Sequence, residues 1–333
     1  MFKKLIGSLA VAVALAPLSS FASSQVSEED ARELYGKLAD HYHVVDSTAW
    51  PLLTTGADLC TRGTQWRTGI RPKAFEFDGD PTPTVFTVAT GSPADLAGVQ
   101  AGDVVVSVNG DKPRRGFRTS YEEKLASLFA HESADPVELV VTRDDGEHAF
   151  TITPVEACNL RLTYVPRMTG RFHSERINDI IVTEAFFQAG DEEWQRQAFL
   201  ATDLAYAMSE TRAANEKMRG FLGKGAAFLE TVGVAGGGLL NTAALGSHFV
   251  LNADQALAAD RVSLFLLARL GVDVEQVPDY WRSIYRYAEG DGALDKHFGL
   301  RPGLTEREAA FEEALVEIRA KMAAGEPLTP DRS

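Results

Sequence analysis

The sequence predicts an α+β protein in which a small β-rich domain is joined to a mainly helical one, and three observations predict it. The chain has 333 residues, room for two domains at ~100–200 residues each. Between about 60 and 157 the apolar residues alternate with period two, in runs bounded by turn residues. Beyond about 184 the period changes to that of amphipathic helices. Composition is that of a folded chain, with 45% hydrophobic, 9% aromatic and 24% charged residues, which excludes wholesale disorder and collagen-like repetition. The formal net charge is −14, and a chain this acidic repels phosphate backbones and anionic lipid surfaces. No nucleic acid and no peripheral membrane partner is expected.

Residues 1–22 carry Lys3 and Lys4, an apolar run from Leu5 to Leu18, and the small residues Ser20 and Ala22 at the −3 and −1 positions. This pattern is that of a secretory signal peptide. The alternative, a membrane anchor, needs about 18 or more apolar residues in a row, and Gly7, Ser8 and Pro17 break the run. The expectation is a secreted, periplasmic protein beginning near Ser23, with no stable membrane anchor after cleavage. Cys60 and Cys158 are the only cysteines, and in an oxidising compartment they read as a disulfide, two buried free thiols being the other reading.

Residues 23–59 form a helical lead-in. Ser27 and Asp30 make a capping box, and Ala31, Leu34, Leu38 and Tyr42 share one face, which predicts a helix from Ser27 to about Val44. Trp50 to Leu53 follows as an apolar stretch interrupted by Pro51. Within residues 60–157, strands are expected at Val85 to Ala89, Val104 to Val108, Glu138 to Thr142 and Ala149 to Val155. A helix at Ser120 to Glu132 aligns Tyr121, Leu125, Leu128 and Phe129. Residues 158–333 begin with two short strands, Leu160 to Val165 and Ile177 to Thr183. Helices follow over Glu192 to Gly220, Ala253 to Leu270, which Gly271 stops, and 305–324. The Gly- and Ala-rich stretch Gly225 to Val250 reads as a packed or mobile hairpin or as a membrane-active segment.

The most informative segment is GSPADLAGVQAGDVVVSVNG, Gly91 to Gly110. Pro93 opens a helical turn, Gly98 ends it in the left-handed region, and Asn109 with Gly110 makes a hairpin turn after a Val-rich strand. With the helix at 120–131 and the strands that close the domain, this closely resembles a PDZ domain of the bacterial, circularly permuted type. The resemblance implies that an extended peptide adds a strand beside the sheet, its terminal carboxylate held by backbone N–H groups. By position those groups are Thr68, Gly69 and Ile70, with Arg67 and Arg71 nearby and Tyr121, Leu125 and Leu128 lining the groove. Pro72 departs from a peptide-pairing strand, since it has no N–H to donate.

The helical block resembles the M48 family of zinc metallopeptidases, a zincin-like fold. The resemblance rests on IIVTEAFF (180–187), AFLATDLAYAM (198–208), AADRVSLFLLARLGVD (258–273), Trp281 with Arg282, and a terminal segment from Arg301 that includes Arg307. That family's H-E-x-x-H motif places two zinc-binding His on one helix face, with the Glu activating water. Here those positions are Thr202, Asp203, Leu204, Ala205 and Tyr206. The third ligand, a Glu, falls on Ala256 in a motif that ends at Asp260. His173, His248 and His297 show no spacing that rebuilds a site. The implied protein is a catalytically degenerate pseudopeptidase without metal or other cofactor. Its expected partners are extended peptides or protein C-termini at the PDZ groove, with an active paralogue or self-association besides. The competing reading is an active M48-type metalloendopeptidase that holds zinc with replacement ligands.

Overall fold

The computed structural model describes residues 28–61, 63–77, 80–114, 120–166, 179–208, 253–288 and 303–331. The expected leader, Ser27, the Gly225 to Val250 stretch, the 192–220 helix past Met208, and His173, His248, His297 and Arg301 lie outside the described residues.

Helix α1 spans Glu28–Thr55, past its expected end near Val44. Val45, Ala49, Leu52 and Leu53 recur at three- and four-residue spacing and are at most 3% exposed. This buried stripe outweighs the loss of one backbone donor at Pro51. The apolar stretch at Trp50 to Leu53 is therefore the last turns of the helix rather than a connection after it. Leu34, expected on the packed face, is 64% exposed, whereas Leu38 and Tyr42 pack against the core.

A short 3-10 turn, Ala57–Leu59, leads to Cys60, which is disulfide-bonded to Cys158 with the Cα atoms 5.7 Å apart. Strand β1 (Thr64–Arg67) pairs antiparallel with β7 (Val155–Cys158). Disulfide and ladder together close the small domain at its two ends. Between them lies a five-stranded antiparallel sheet of β2 (Ile70–Phe77), β3 (Asp80–Val88), β4 (Val104–Val108), β5 (Val137–Arg143) and β6 (Gly146–Ile152), in chain order. Local chemistry sets its turns. Ser92 caps α2 (Pro93–Leu96), accepting from Asp95 N, and Gly98 (φ 87°) ends that turn in the left-handed region. Asn109 (φ 49°) and Gly110 (φ 82°) both take positive φ, and Val108 and Asp111 exchange two 2.9 Å hydrogen bonds across them, the geometry of a type I′ hairpin turn. Helix α3 (Tyr121–Leu128) starts on a Ser120/Glu123 capping box.

The small domain has its own core, with Val85, Val99, Val105, Leu125, Leu139 and Val141 buried together. The buried Asp103 carboxylate turns the chain into β4: it accepts from Gln100 N at 2.9 Å and from Arg143 Nε at 2.5 Å.

After Cys158, β8 (Arg161–Tyr164) and β9 (Asp179–Val182) pair in parallel. The helices α4 (Glu184–Gln188), α5 (Glu193–Met208), α6 (Ala253–Arg269), α7 (Val277–Ala288) and α8 (Leu304–Ala324) follow. Gly271 (φ 76°) stands just past α6. One core joins these elements, and α1 belongs to it through Val45, Ala49, Leu52 and Leu53. The helical unit is thus built from α1, which precedes the β-rich domain, and from the elements that follow it. Among the described residues no helix is long and apolar enough to cross a membrane.

Candidate functional site

The site grows from the bend between β1 and β2. Thr68 O accepts from Ala94 N at 3.0 Å and Gly69 O accepts from Ala89 N at 2.9 Å, so the loop is pinned through its carbonyls. Gly69 has φ 87°, and a Cβ there would sit 2.1 Å from the Cβ of Ser92. Only glycine lets the loop lie this close to the start of α2. With the carbonyls spent on the domain, the N–H groups of Thr68 and Gly69 donate to nothing among the described residues. The Ala89–Gly69 bond also makes Ile70↔Val88 a non-hydrogen-bonded pair, which turns the Ile70 N–H and C=O to the free edge of β2.

This bend opens on a cleft of about 790 Å³. It is lined by the segment from Arg67 to Lys73, by residues of α3, by Tyr42, Asp46 and Trp50 of α1 and by Arg161 and Leu162 of β8. Its formal charges balance, Arg67, Arg71, Lys73 and Arg161 against Asp46, Glu122, Glu123 and Asp179, but they are paired unequally. Arg71 donates to both oxygens of Asp46, from Nε at 2.8 Å and Nη2 at 2.5 Å, and to Leu162 O at 3.0 Å. Asp46 also accepts from Thr87 Oγ1 at 2.6 Å. Arg161 makes a bidentate pair with Asp179, both bonds 2.9 Å. Arg67, the third guanidinium, has no carboxylate or other hydrogen-bond partner among the described residues. Burial, and then the nearby Arg71 and Arg161, push its pKa down to about 10, with Asp46 acting the other way. Arg67 is still a cation at neutral pH, and it is the one guanidinium of the cleft with no carboxylate on it among the described residues.

Of the residues that the sequence places in the groove, Thr68, Gly69 and Ile70 line the cleft. Leu125 is completely buried in the small domain's core, with Tyr121 and Leu128 packed against it. The face of α3 that lines the cleft carries Glu122, Glu123 and Ala126, with Ser120 before the helix and Phe129 and Ala130 after it. The most apolar stripe of a short helix goes to the core, so the stripe beside it is left for the cleft. Sequence reasoning also missed Asp46 and Arg161, which lie far along the chain from the loop and carry no local signal.

The other group of expected positions lies inside the helical unit. Thr202, Tyr206, Ala256 and Asp260 are all buried, at 2%, 8%, 0% and 0% exposure, and Asp203 is half-buried. Thr202 Oγ1 donates to Asp260 Oδ1 at 3.4 Å, and Arg307 Nη1 donates to the same oxygen at 3.0 Å. The guanidinium of Arg307 lies over the Trp281 ring, 5.0 Å from its centroid. Residues from α5, α6 and α8 therefore meet at one carboxylate. Among the described residues no three His, Cys, Asp or Glu side chains gather as a metal site.

A five-stranded antiparallel sheet with α3 beside its edge strand and a glycine loop at that strand's head defines a PDZ-type domain. Residues 84–143 match the family model described as PDZ domain, and the chain contains such a domain. No curated protein matches the chain. Similar solved structures include the HtrA3 PDZ domain bound to a phage-derived ligand, FGRWV, at 24% identity over 28% of this chain and 88% of that one, with a TM-score of 0.23. Another is the HtrA-type protease AlgW with a decapeptide, at 16% identity over 28% of this chain and 30% of that one, TM-score 0.23. A third is the photosystem II D1 C-terminal processing protease, at 18% identity over 46% of each chain, TM-score 0.24. The chain thus spans less than half the length of these two proteases.

Proposed function

We propose that this protein is an exported peptide-binding protein that takes extended chains by their free C-termini in the cleft beside β2. The observation that carries the reading is the pair of free N–H groups at Thr68 and Gly69 next to the unpartnered Arg67. A carboxylate satisfies all three, and hydrogen bonds to a charged group are worth ~1.5–3 kcal/mol each. Titration of free-acid and C-terminally amidated peptides against the mature protein tests this. Amidation is expected to weaken binding at least about tenfold, and peptides that bind equally well in both forms would refute it.

In the same reading the helical unit is an M48-like pseudopeptidase. Support comes from the meeting of Thr202, Asp260 and Arg307, which the resemblance places around the lost metal position. The donor set does not fit zinc. Thr202 is turned to Asp260, Ala256 has no donor, and the Asp260 carboxylate is engaged by a guanidinium. A zinc site takes Cys, His or carboxylate ligands in three or four positions. The proposed role is to hold peptides, exposed C-termini, an active paralogue or a second copy of the chain, in envelope protein quality control. The exported protein is expected to begin near Ser23 and to carry far less than one zinc per chain. N-terminal sequencing that returns Met1 would reject export, and one tightly bound zinc with chelator-sensitive proteolysis would restore the metalloendopeptidase reading.

A further inference from the structure

Strand β2 is the first strand of its sheet and pairs with β3 alone among the described residues. A chain added to its free edge meets outward N–H and C=O groups on every second residue. Ile70 supplies the first set, as its pairing with Val88 shows. Side chains then alternate without interruption. Arg71 lies over Tyr42, Lys73 over Phe86 and Phe75 against Tyr35, while Ile70 and Ala74 pack on the small domain's core. The second outward position is therefore Pro72, which has no N–H. The register between β2 and β3 also shifts at Arg71/Pro72. At the head of the strand the balance is opposite, because the amides of Thr68 and Gly69 that donate to no described residue and the guanidinium of Arg67, which has no carboxylate on it among the described residues, are concentrated there.

We infer that the cleft is a terminus reader: it grips the carboxylate and last two residues of an extended chain, and Pro72 is the residue that ends main-chain pairing upstream of them. The inference rests on the peptide-binding reading above and names its partner class. That class is any flexible polypeptide end with a free carboxylate, with little demand on the sequence before its last two residues.

Free-acid peptides of two, three, five and eight residues with a common C-terminal sequence, titrated against the intact mature protein, test it. The wild-type affinity is expected to change less than about threefold between three and eight residues. Pro72→Val restores the missing donor, and it is expected to raise octapeptide affinity about three- to tenfold, the net worth of one hydrogen bond, and to leave the dipeptide unchanged. A wild-type gain of tenfold or more from three to eight residues would overturn the inference. So would a Pro72→Val protein with wild-type circular dichroism and melting that binds the octapeptide no better. If the variant does not fold, the wild-type length series decides alone. Equal binding of amidated and free-acid peptides, by contrast, is the failure of the peptide-terminus reading itself.

Discussion

Reduction of the Cys60–Cys158 disulfide is expected to lower stability by about 4–5 kcal/mol. The bridge joins residues 98 apart, and in the chain-entropy account a loop of that length constrains the unfolded ensemble by about this much. The native state has further reason to need it. The bridge sits where β1 meets β7, and the next residue, Thr61, donates to Met208 O from both its N–H (3.2 Å) and its hydroxyl (2.7 Å). Freed, Cys158 would also leave a thiol at a fully buried position. Denaturant unfolding with and without reductant, and of the Cys60→Ser/Cys158→Ser double variant, measures the loss. A change under about 1 kcal/mol in both would show that the ladder holds the small domain closed unaided.

The second large effect is expected at Asp260. Asp260→Ala leaves the Arg307 guanidinium, 3% exposed, without its carboxylate and with only the Trp281 face for company. Uncompensated buried charge costs about 3–5 kcal/mol. Arg307→Met takes the counter-charge from the buried carboxylate instead, which keeps Thr202 Oγ1, and is expected to cost a similar amount. The Asp260→Leu/Arg307→Met double variant is expected to recover most of either loss, because an apolar pair of similar volume removes both charges. Tryptophan fluorescence during urea unfolding, to which Trp50, Trp194 and Trp281 of the helical unit and Trp66 of β1 contribute, measures the loss. Single variants within about 1 kcal/mol of wild type, or a double variant as unstable as the worse single, would remove the ion pair from the account of this core.

Much of the small domain is legible in the sequence, for a local reason. The turn at Pro93, the left-handed Gly98, the Asn109–Gly110 hairpin and the Ser120/Glu123 cap each depend on residues within a few positions of one another. Strands β4, β5 and β6 alternate clearly and stand within two or three residues of where the pattern puts them. Strands β1, β2 and β7 are not named by that reading. β1 and β7 are four residues each, too short for a period, and in β2 the Pro72 interruption masks an otherwise regular alternation of Ile70, Ala74 and their outward neighbours. Pro51 misleads in the same way in α1, where a residue unfavourable to local structure is carried by burial on either side of it.

The candidate site divides along the same line. Thr68, Gly69 and Ile70 are named by position within the resemblance to a PDZ domain, and they line the cleft. On α3 the same resemblance names the apolar residues Tyr121, Leu125 and Leu128; Leu125 is buried in the small domain's core with Tyr121 and Leu128 partly buried against it, while Glu122, Glu123 and Ala126 line the cleft.

By itself the sequence determined strands β4 to β6, the long helices α5, α6 and α8, the turns of the small domain and the two cysteines available to close it, because backbone preference and hydrophobic period are set by neighbouring residues. Tertiary structure alone decided that α1 shares a core with helices more than a hundred residues away, that Asp46 neutralises Arg71 while Arg67 goes without, and that Asp260 meets Thr202 and Arg307. Those outcomes depend on desolvation and on the distance between charges, and folding brings such groups together from positions whose separation in the chain carries no trace of the contact.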